Sequence, residues 1–205
     1  MPLEIKNLVL PGITPFSIDI KENGLYGLIG KNGIGKSTLF SVLSGEIAFS
    51  QGLVRAGRVA YLPDVECFDG NLSANDYFKL LNTEEYEKAL RQAKKFGVAD
   101  YLKLKVSKYS LGMKQRLATV LSFSINCDVL IIDELFSGLD VAVKSAVYEE
   151  LNKMASEKIV LLTSHNLKEI EHFCEKTFLL SETGIHEVKD FDDAAKEIGY
   201  IELFA

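Results

Sequence analysis

Residues 30–38 are Gly30-Lys31-Asn32-Gly33-Ile34-Gly35-Lys36-Ser37-Thr38, and this stretch decides the fold. It fits the phosphate-binding pattern G-x-x-x-x-G-K-[ST]. The apolar run 25–29 before it predicts a short buried strand, and apolar residues at helical spacing after it predict a helix that ends at Gly45. The alternative is a chance match in a glycine-rich turn, which the flanking strand and helix disfavour.

The order strand, glycine loop and helix is the one that phosphate binding requires. Glycines allow backbone N–H groups to close around phosphate oxygens, and the N-terminus of the helix adds a partial positive charge. Lys36 would supply a full charge to the β- and γ-phosphates, and Ser37 would offer its hydroxyl to Mg²⁺. We therefore expect all nine residues to form the cofactor site, with ATP and Mg²⁺ as the cofactors.

Length and composition limit the possible classes of protein. A chain of 205 residues, 47% of them hydrophobic, allows one large α/β domain. The net charge of −6 argues against a nucleic-acid partner bound by bulk electrostatics, and it is typical of a soluble protein. The three cysteines, Cys67, Cys127 and Cys174, lack metal or redox spacing, which indicates ordinary thiols in a reducing compartment.

We expect neither a membrane span nor a signal peptide. The longest apolar candidate, 120–132, is interrupted by serine, asparagine and aspartate. Near the N-terminus, Glu4, Lys6 and Asn7 break the apolar pattern that a leader requires. We expect a soluble, intracellular protein that reaches a membrane only through a partner.

Periodicity predicts an alternation of strands and helices. Strands are expected over residues 3–8, 16–20, 25–29, 53–55, 58–62, 129–132, 159–162, 177–180, 185–188 and 200–204. Helices are expected after the phosphate loop, from Asn82 to Gly97, over 98–104, and after Ser110, Asp140, His165 and Asp190. Asn82 and Glu85 form a predicted capping box.

This order predicts an α/β fold: a P-loop NTPase core with a mostly parallel sheet, an N-terminal antiparallel β subdomain and an inserted small helical subdomain. We treat 1–205 as one ATPase domain. Residues 1–64 and 113–205 form the nucleotide-binding core with the β subdomain, and residues 65–112 form the helical subdomain.

Polar residues follow two of the predicted buried strands. Asp133 and Glu134 end the strand that begins at Val129, and His165 follows the strand that begins at Ile159. Because the carboxyl ends of parallel strands meet at one edge of a sheet, these residues and the phosphate loop should converge on a single bound phosphate group.

Each of these three side chains has a chemical role to offer. Asp133 is a predicted metal ligand that holds Mg²⁺ opposite Ser37. Glu134 could polarise the attacking water, so we assign it, with Lys36 and His165, to catalysis. The alternative for Glu134 is a surface or helix-capping acid, and the alternative for His165 is a structural histidine.

A larger set of motifs resembles the ABC ATPases. These motifs are Tyr109-Ser110-Leu111-Gly112-Met113-Lys114-Gln115-Arg116, then 129–134, then Ser137-Gly138-Leu139-Asp140, and then His165. Their order and distances match that family from Ile5 to about Val188. The resemblance implies two ATPase domains paired head to tail with two ATP molecules between them.

The same resemblance assigns residues to the second subunit's ATP. Ser110 and Gly112 match the signature positions, at the end of the helical subdomain, that meet the γ-phosphate across the interface. Residues 137–140 match the D-loop that couples the two sites, which adds Asp140, and His165 matches the switch histidine. Taken alone, Ser110 would cap an ordinary amphipathic helix as well as an anion-binding one.

The signature sequence and the short helical insertion look like those of single-domain exporter subunits for drugs, lipids, peptides or polysaccharides. In such proteins the helical subdomain and the segment after Pro63 receive a cytoplasmic helix of the membrane subunit. Phe68, Tyr77 and Phe78 could line that groove, or they could belong to the core.

Three positions depart from the family pattern. Asp64 stands where a glutamine is usual, and it could still bind Mg²⁺ or water, so we include it as a metal ligand. Leu111 replaces the first glycine of the signature. No aromatic residue lies near 9–12 to stack on adenine, so Leu10, Pro11 or Ile13 would make an apolar contact instead.

We therefore expect an ATP-binding and ATP-hydrolysing subunit of an ABC transporter, which powers transport through a separate membrane subunit. It would pair with a second ATPase subunit, identical or different, and lie on the cytoplasmic face of the cell membrane. One alternative is a soluble ABC-type switch that assembles on another protein or a nucleoprotein. The other is a weakly active nucleotide-binding partner in a heterodimer, as Asp64 and Leu111 would suggest.

Overall fold

A computed structural model gives the conformation of residues 2–61, 65–134, 138–164 and 166–200. Three residues with predicted roles, Asp64, Ser137 and His165, lie outside these described residues, as do 201–205.

Nine strands and seven α-helices make up the described part of the chain. The strands are β1 Leu3–Leu10, β2 Ile13–Ile20, β3 Gly24–Ile29, β4 Leu53–Arg55, β5 Val59–Tyr61, β6 Val129–Asp133, β7 Ile159–Thr163, β8 Lys176–Ser181 and β9 Gly184–Glu187. The helices are α1 Lys36–Ser44, α2 Ala74–Phe78, α3 Thr83–Lys95, α4 Leu111–Ser124, α5 Val141–Ala155, α6 Leu167–Phe173 and α7 Phe191–Ile198.

The main sheet has six strands in the order β5-β6-β7-β3-β8-β9. The first five run parallel, and β9 returns antiparallel beside β8. Because β6, β7 and β3 are neighbours, their carboxyl ends lie side by side at one edge of the sheet. The phosphate loop and the acidic pair 133–134 follow two of these ends, so this topology places them together.

Both faces of the main sheet are buried, as the continuous apolar runs predict. In β6, Val129 and Ile131 pack into one hydrophobic cluster, while Leu130 and Ile132 pack into the other. The first cluster lies between the sheet, α1 and the small sheet, and the second lies beneath the remaining helices. The hydrophobic core therefore has two layers, and the central strands of the main sheet separate them.

A second sheet of three antiparallel strands, in the order β2-β1-β4, covers one face of the core. The predicted antiparallel β subdomain is confirmed in this sheet. The mostly parallel sheet with a separate antiparallel sheet confirms the predicted α/β class.

Residues 65–108 contain short helices, as predicted for the insertion. Asn82 and Glu85 form the predicted capping box at the start of α3, and Gly97 follows that helix with a φ of 71°. The helix predicted over 98–104 is instead a 3₁₀ turn at Ala99–Tyr101. Since α4 runs from Leu111 to Ser124, the predicted boundary after residue 112 falls within one helix.

The aromatic residues of this insertion are mainly core residues. Phe78 is fully buried and Phe68 is 9% exposed, and both belong to the larger hydrophobic cluster. Tyr77 is partly buried, and its ring packs edge-on against Phe68 with centroids 5.1 Å apart. The core interpretation therefore holds for Phe68 and Phe78.

Of the strand predicted over 200–204, the structure describes the first residue alone. Tyr200 lies in no strand, and the rest of that segment lies outside the described residues. Likewise, β5 covers Val59–Tyr61 of the strand predicted over 58–62, and Leu62 is outside the description.

Glu85 ties α3 to the core, because its side chain is almost fully buried and has partners from two other segments. One carboxylate oxygen, Oε1, accepts from the backbone N–H of Asn126 at 2.9 Å and lies 3.1 Å from the Arg58 guanidinium. We expect Glu85→Ala to lower the free energy of unfolding by about 1–3 kcal/mol, since it removes the acceptor of the partly buried Asn126 N–H and the partner of Arg58. Urea denaturation followed by circular dichroism measures this loss.

Glu87→Ala is the matched control, because Glu87 lies on the exposed face of the same helix. Its effect should stay within about 0.5 kcal/mol. Equal effects of the two substitutions would contradict the structural role given to Glu85.

Candidate active site

The phosphate loop joins the end of β3 to the start of α1. Gly33 and Gly35 have φ values of 78° and 114°, a region that other residues rarely adopt, and Gly35 is the N-cap of α1. Glycine at positions 33 and 35 is therefore required by the turn itself. Lys36 is the first residue of the helix, so the positive end of the helix lies at the loop.

The Lys36 ammonium lies inside the curve of the loop. Its Nζ donates to the carbonyl oxygens of Gly30 at 2.9 Å and Lys31 at 3.3 Å. Burial lowers the pKa of Lys36, while the negative charges of Glu134 and Asp133 act in the opposite direction. Both carboxylates are thus close enough to act on this ammonium.

Asp133 ends β6 and accepts hydrogen bonds from three hydroxyl groups. Its Oδ2 accepts from Ser37 Oγ at 3.1 Å and from the Tyr61 hydroxyl at 3.3 Å. Its Oδ1 accepts from Thr163 Oγ1 at 2.6 Å. Burial raises the pKa of Tyr61, and the Asp133 charge raises it further, so this phenol remains a donor at neutral pH.

The pair of Ser37 and Asp133 fits a magnesium ion. Mg²⁺ prefers oxygen ligands and is usually held by one or two protein groups together with substrate phosphates. The Ser37 and Asp133 oxygens, 3.1 Å apart, can turn toward one cation beside the phosphate loop. Within the described ranges, no cluster of three or more His, Cys, Asp or Glu is placed to hold a metal ion.

Glu134 follows Asp133 in a left-handed backbone conformation, with a φ of 53°. Its backbone N–H donates to Thr163, to Oγ1 at 3.1 Å and to the carbonyl oxygen at 3.3 Å. A residue other than glycine adopts this conformation only where its surroundings hold it there. Here the end of β7 supplies the restraint.

Glu134 and the phosphate loop line a single cavity of about 260 Å³. Its wall consists of Leu28, Ile29, Gly30, Lys31, Asn32, Lys36, Glu134, Ser164, Leu167, Ile198, Gly199 and Tyr200. The cavity therefore joins the loop to a carboxylate and to the end of β7. The turn after α7 closes one side of it, which no sequence pattern indicated.

The residues predicted for the signature motif and the D-loop lie at the starts of two neighbouring helices, α4 and α5. Ser110 is the N-cap of α4, and its hydroxyl accepts from the backbone N–H of Met113 at 3.2 Å. Asp140 is the N-cap of α5 and pairs with Arg116 of α4 at 2.6 Å. The Val143 backbone N–H, and then the Arg116 charge, hold the pKa of Asp140 below its usual range.

The cavity at the phosphate loop does not include these residues. Among the described parts of the chain, Ser110, Gly112 and Asp140 are absent from its lining. The structure therefore brings together the loop, Asp133 and Glu134, and the signature positions do not line the cavity beside the loop.

The residues proposed to contact adenine differ in their exposure. Ile13 is buried and lies beside the phosphate loop, because a Cβ added at Gly35 would be 3.5 Å from Ile13 Cδ1. Leu10 is also buried, whereas Pro11 is exposed. Of the three candidates, Ile13 is the one whose contact with the loop is established.

Comparison with known proteins agrees with this geometry. Residues 13–137, more than half of the chain, match the protein family described as ABC transporter. The chain belongs to the ABC transporter family.

Several relatives within the ABC transporter family are similar over most of the chain. An uncharacterized ABC transporter ATP-binding protein of Methanocaldococcus jannaschii is 28% identical over 91% of this chain and 74% of its own length. The ATP-binding protein BexA of Haemophilus influenzae is 29% identical over 87% and 85%. The teichoic acids export ATP-binding protein TagH of Staphylococcus epidermidis is 29% identical over 83% and 68%.

Solved structures share the fold of this chain. An ATP-binding subunit of an ABC transporter superposes with a TM-score of 0.84 at 23% identity, over 98% of this chain and 94% of the other. The predicted P-loop NTPase fold is thereby confirmed. So is the predicted function, an ATP-binding ATPase subunit of an ABC transporter. No helix within the described residues combines the length and the apolar character that crossing a membrane requires.

Sequence reasoning missed several residues at the site. Thr163 and Tyr61 contact Asp133, and Arg116 contacts Asp140. Thr163 stood at a predicted strand end, but its position opposite Asp133 follows from the register of β6 with β7. The predicted roles of Asp64 and His165 concern residues outside the description and stay predictions.

We expect Lys36→Met to weaken ATP binding by about 10- to 100-fold, since a charged donor to phosphate contributes about 1.5–3 kcal/mol. Methionine keeps the length of the side chain but removes the ammonium. Equilibrium binding of a fluorescent ATP analogue gives the dissociation constant. Lys153→Met, at an exposed position in the last turn of α5, is the control and should bind ATP normally. Unchanged affinity in Lys36→Met would contradict the phosphate contact.

Proposed function

We propose that this ABC transporter subunit binds Mg²⁺-ATP at the phosphate loop and hydrolyses it with Glu134 as the general base. One observation carries the proposal: Lys36, Asp133 and Glu134, which are up to 98 positions apart in the sequence, meet at one edge of the parallel sheet. That edge is where the fold presents its ligand-binding ends.

The binding roles follow from the chemistry of the side chains. Lys36 and the N–H groups around Gly33 and Gly35 would hold the β- and γ-phosphates, because all of them present positive charge to the loop. Ser37 and Asp133 would hold the magnesium ion. When bound, Mg²⁺ neutralises charge on the β- and γ-phosphate oxygens.

Glu134 is the base in this proposal. Its carboxylate would accept a proton from the water that attacks the γ-phosphorus, as the bond to the ADP oxygen breaks. Glu134 lines the same cavity as Lys36, and its charge acts on the Lys36 ammonium, so the two groups can face one phosphate. General base catalysis of this kind contributes about 10²–10⁴-fold in rate.

The second cluster supports a paired subunit. Ser110 and Gly112 lie at the start of α4, a helix whose N-terminus can face an anion, but they do not line the cavity beside their own phosphate loop. Leu111 and Val141, the first residues of α4 and α5, are 56% and 85% exposed. We infer that this surface meets the ATP of a second subunit, head to tail.

The partner in the membrane is inferred from the family. Subunits of this family act with a membrane transporter, and we place the chain on the inner face of the cell membrane through that partner. Some relatives are named for the export of teichoic acids, which favours an exporter as the partner.

We expect Glu134→Gln to lower kcat by at least about 100-fold, because the amide cannot accept the proton. ATP binding should be retained, since Lys36 and Asp133 are untouched. If hydrolysis opens the dimer, this variant should also form a stable dimer with ATP, and light scattering coupled to size-exclusion chromatography measures its mass.

Glu171→Gln is the matched control, at an exposed position in α6. Its turnover and its mass with ATP should equal those of the unmodified protein. Normal turnover in Glu134→Gln would exclude Glu134 as the base, and a monomer with bound ATP would argue against the pairing.

A further inference from the structure

Thr163 occupies a special position beside the two acidic residues. It is the last residue of β7, it is 2% exposed, and the register of the sheet places it opposite Asp133. Its hydroxyl donates to Asp133 Oδ1 at 2.6 Å and accepts from the Glu134 backbone N–H at 3.1 Å. One buried oxygen atom therefore contacts both the proposed metal ligand and the residue proposed as the base.

The contact with Asp133 fixes which oxygen faces the phosphate loop. Because Thr163 holds Oδ1, the carboxylate cannot rotate without losing its shortest hydrogen bond, and Oδ2 stays on the side of Ser37. A carboxylate that is already oriented loses less freedom when it binds a cation.

The contact with Glu134 restrains its backbone. Glu134 and Asn7 are the non-glycine residues with positive φ in the described ranges, and a conformation of this kind needs support from its surroundings. Thr163 supplies two acceptors to the Glu134 N–H, its hydroxyl and its carbonyl oxygen. The direction in which the Glu134 side chain leaves the strand is thus set by the end of β7.

We propose that Thr163 is a positioning residue for ATP hydrolysis, whose hydroxyl holds Asp133 and Glu134 in a fixed relation to each other. The proposal rests on the function proposed above, because it assigns Thr163 to the same metal and water sites. Thr163 would not contact the nucleotide or the attacking water itself, and it would act through Asp133 and Glu134.

Thr163→Val is the sharpest test, because valine has nearly the same shape but removes the donor and the acceptor together. We expect kcat to fall by about 10- to 100-fold, the usual effect of losing an outer partner of a metal ligand. We expect the KM for ATP to change much less, because the phosphate loop is untouched. Thr163→Ser keeps the hydroxyl and should recover most of the lost rate.

A second measurement avoids turnover altogether. In the Glu134→Gln background, binding of a fluorescent ATP analogue is titrated with Mg²⁺. Thr163→Val should raise the Mg²⁺ concentration for half-maximal enhancement of binding by about 10-fold. Affinity in the absence of Mg²⁺ should stay the same, since Lys36 and the loop supply it.

Thr119→Val is the matched control. Thr119 is also fully buried, and its hydroxyl donates to the Gln115 carbonyl at 2.8 Å within α4, away from the acidic pair. Thr163→Val loses two buried hydroxyl contacts and Thr119→Val loses one, and thermal unfolding measures the cost of each loss in stability. Only Thr163→Val should alter kcat and the Mg²⁺ requirement.

The outcomes separate this inference from the proposed function. If Glu134→Gln loses turnover while Thr163→Val keeps normal kcat and Mg²⁺ dependence, the positioning role is wrong and the proposed function stands. If Glu134→Gln retains turnover, the proposed base is wrong. Should Thr163→Val fail to fold, Thr163→Ala makes the same comparison, and a normal Mg²⁺ dependence there would overturn the inference.

Discussion

The proposed nucleotide site, at the carboxyl ends of the parallel strands, depends on the carboxylate of Asp133. Hydroxyl groups from three separate segments, Ser37 of α1, Tyr61 of β5 and Thr163 of β7, donate to its two oxygens. Such a pattern orients an ionised carboxylate fully, and charge-assisted hydrogen bonds are the stronger kind. It also requires that the end of β7 lie opposite the end of β6, so the arrangement of these groups depends on the register of the sheet.

Burial of the main sheet on both faces is what fixes that register. Side chains alternate between two hydrophobic clusters along β6 and β7, and a shift by one residue would exchange the two sets. The Asp133–Thr163 pair is one step of the same parallel ladder that includes Val129 and Ile159. The apolar core thus sets the geometry of polar groups that lie at its rim.

A salt bridge also links α4 and α5, the helices that begin at the predicted signature and D-loop positions. The Arg116–Asp140 pair joins α4 to the N-cap of α5, so it restrains the position of one helix relative to the other. Leu111, which departs from the family pattern, has its side chain exposed at this surface. The departure therefore changes the exposed surface at the start of α4 and leaves the core packing of that helix intact.

The sequence by itself determined the local features: the phosphate loop, the caps at Asn82, Ser110 and Asp140, the buried strand that ends at Asp133, and the family. Each depends on residues a few positions apart, whose spacing the sequence displays directly. Only the tertiary structure decided that Thr163 lies against Asp133 and Glu134, that Tyr61 joins them, and that the turn after α7 closes the cavity. These contacts join segments far apart in the chain, and packing and strand register bring them together, which no local pattern records.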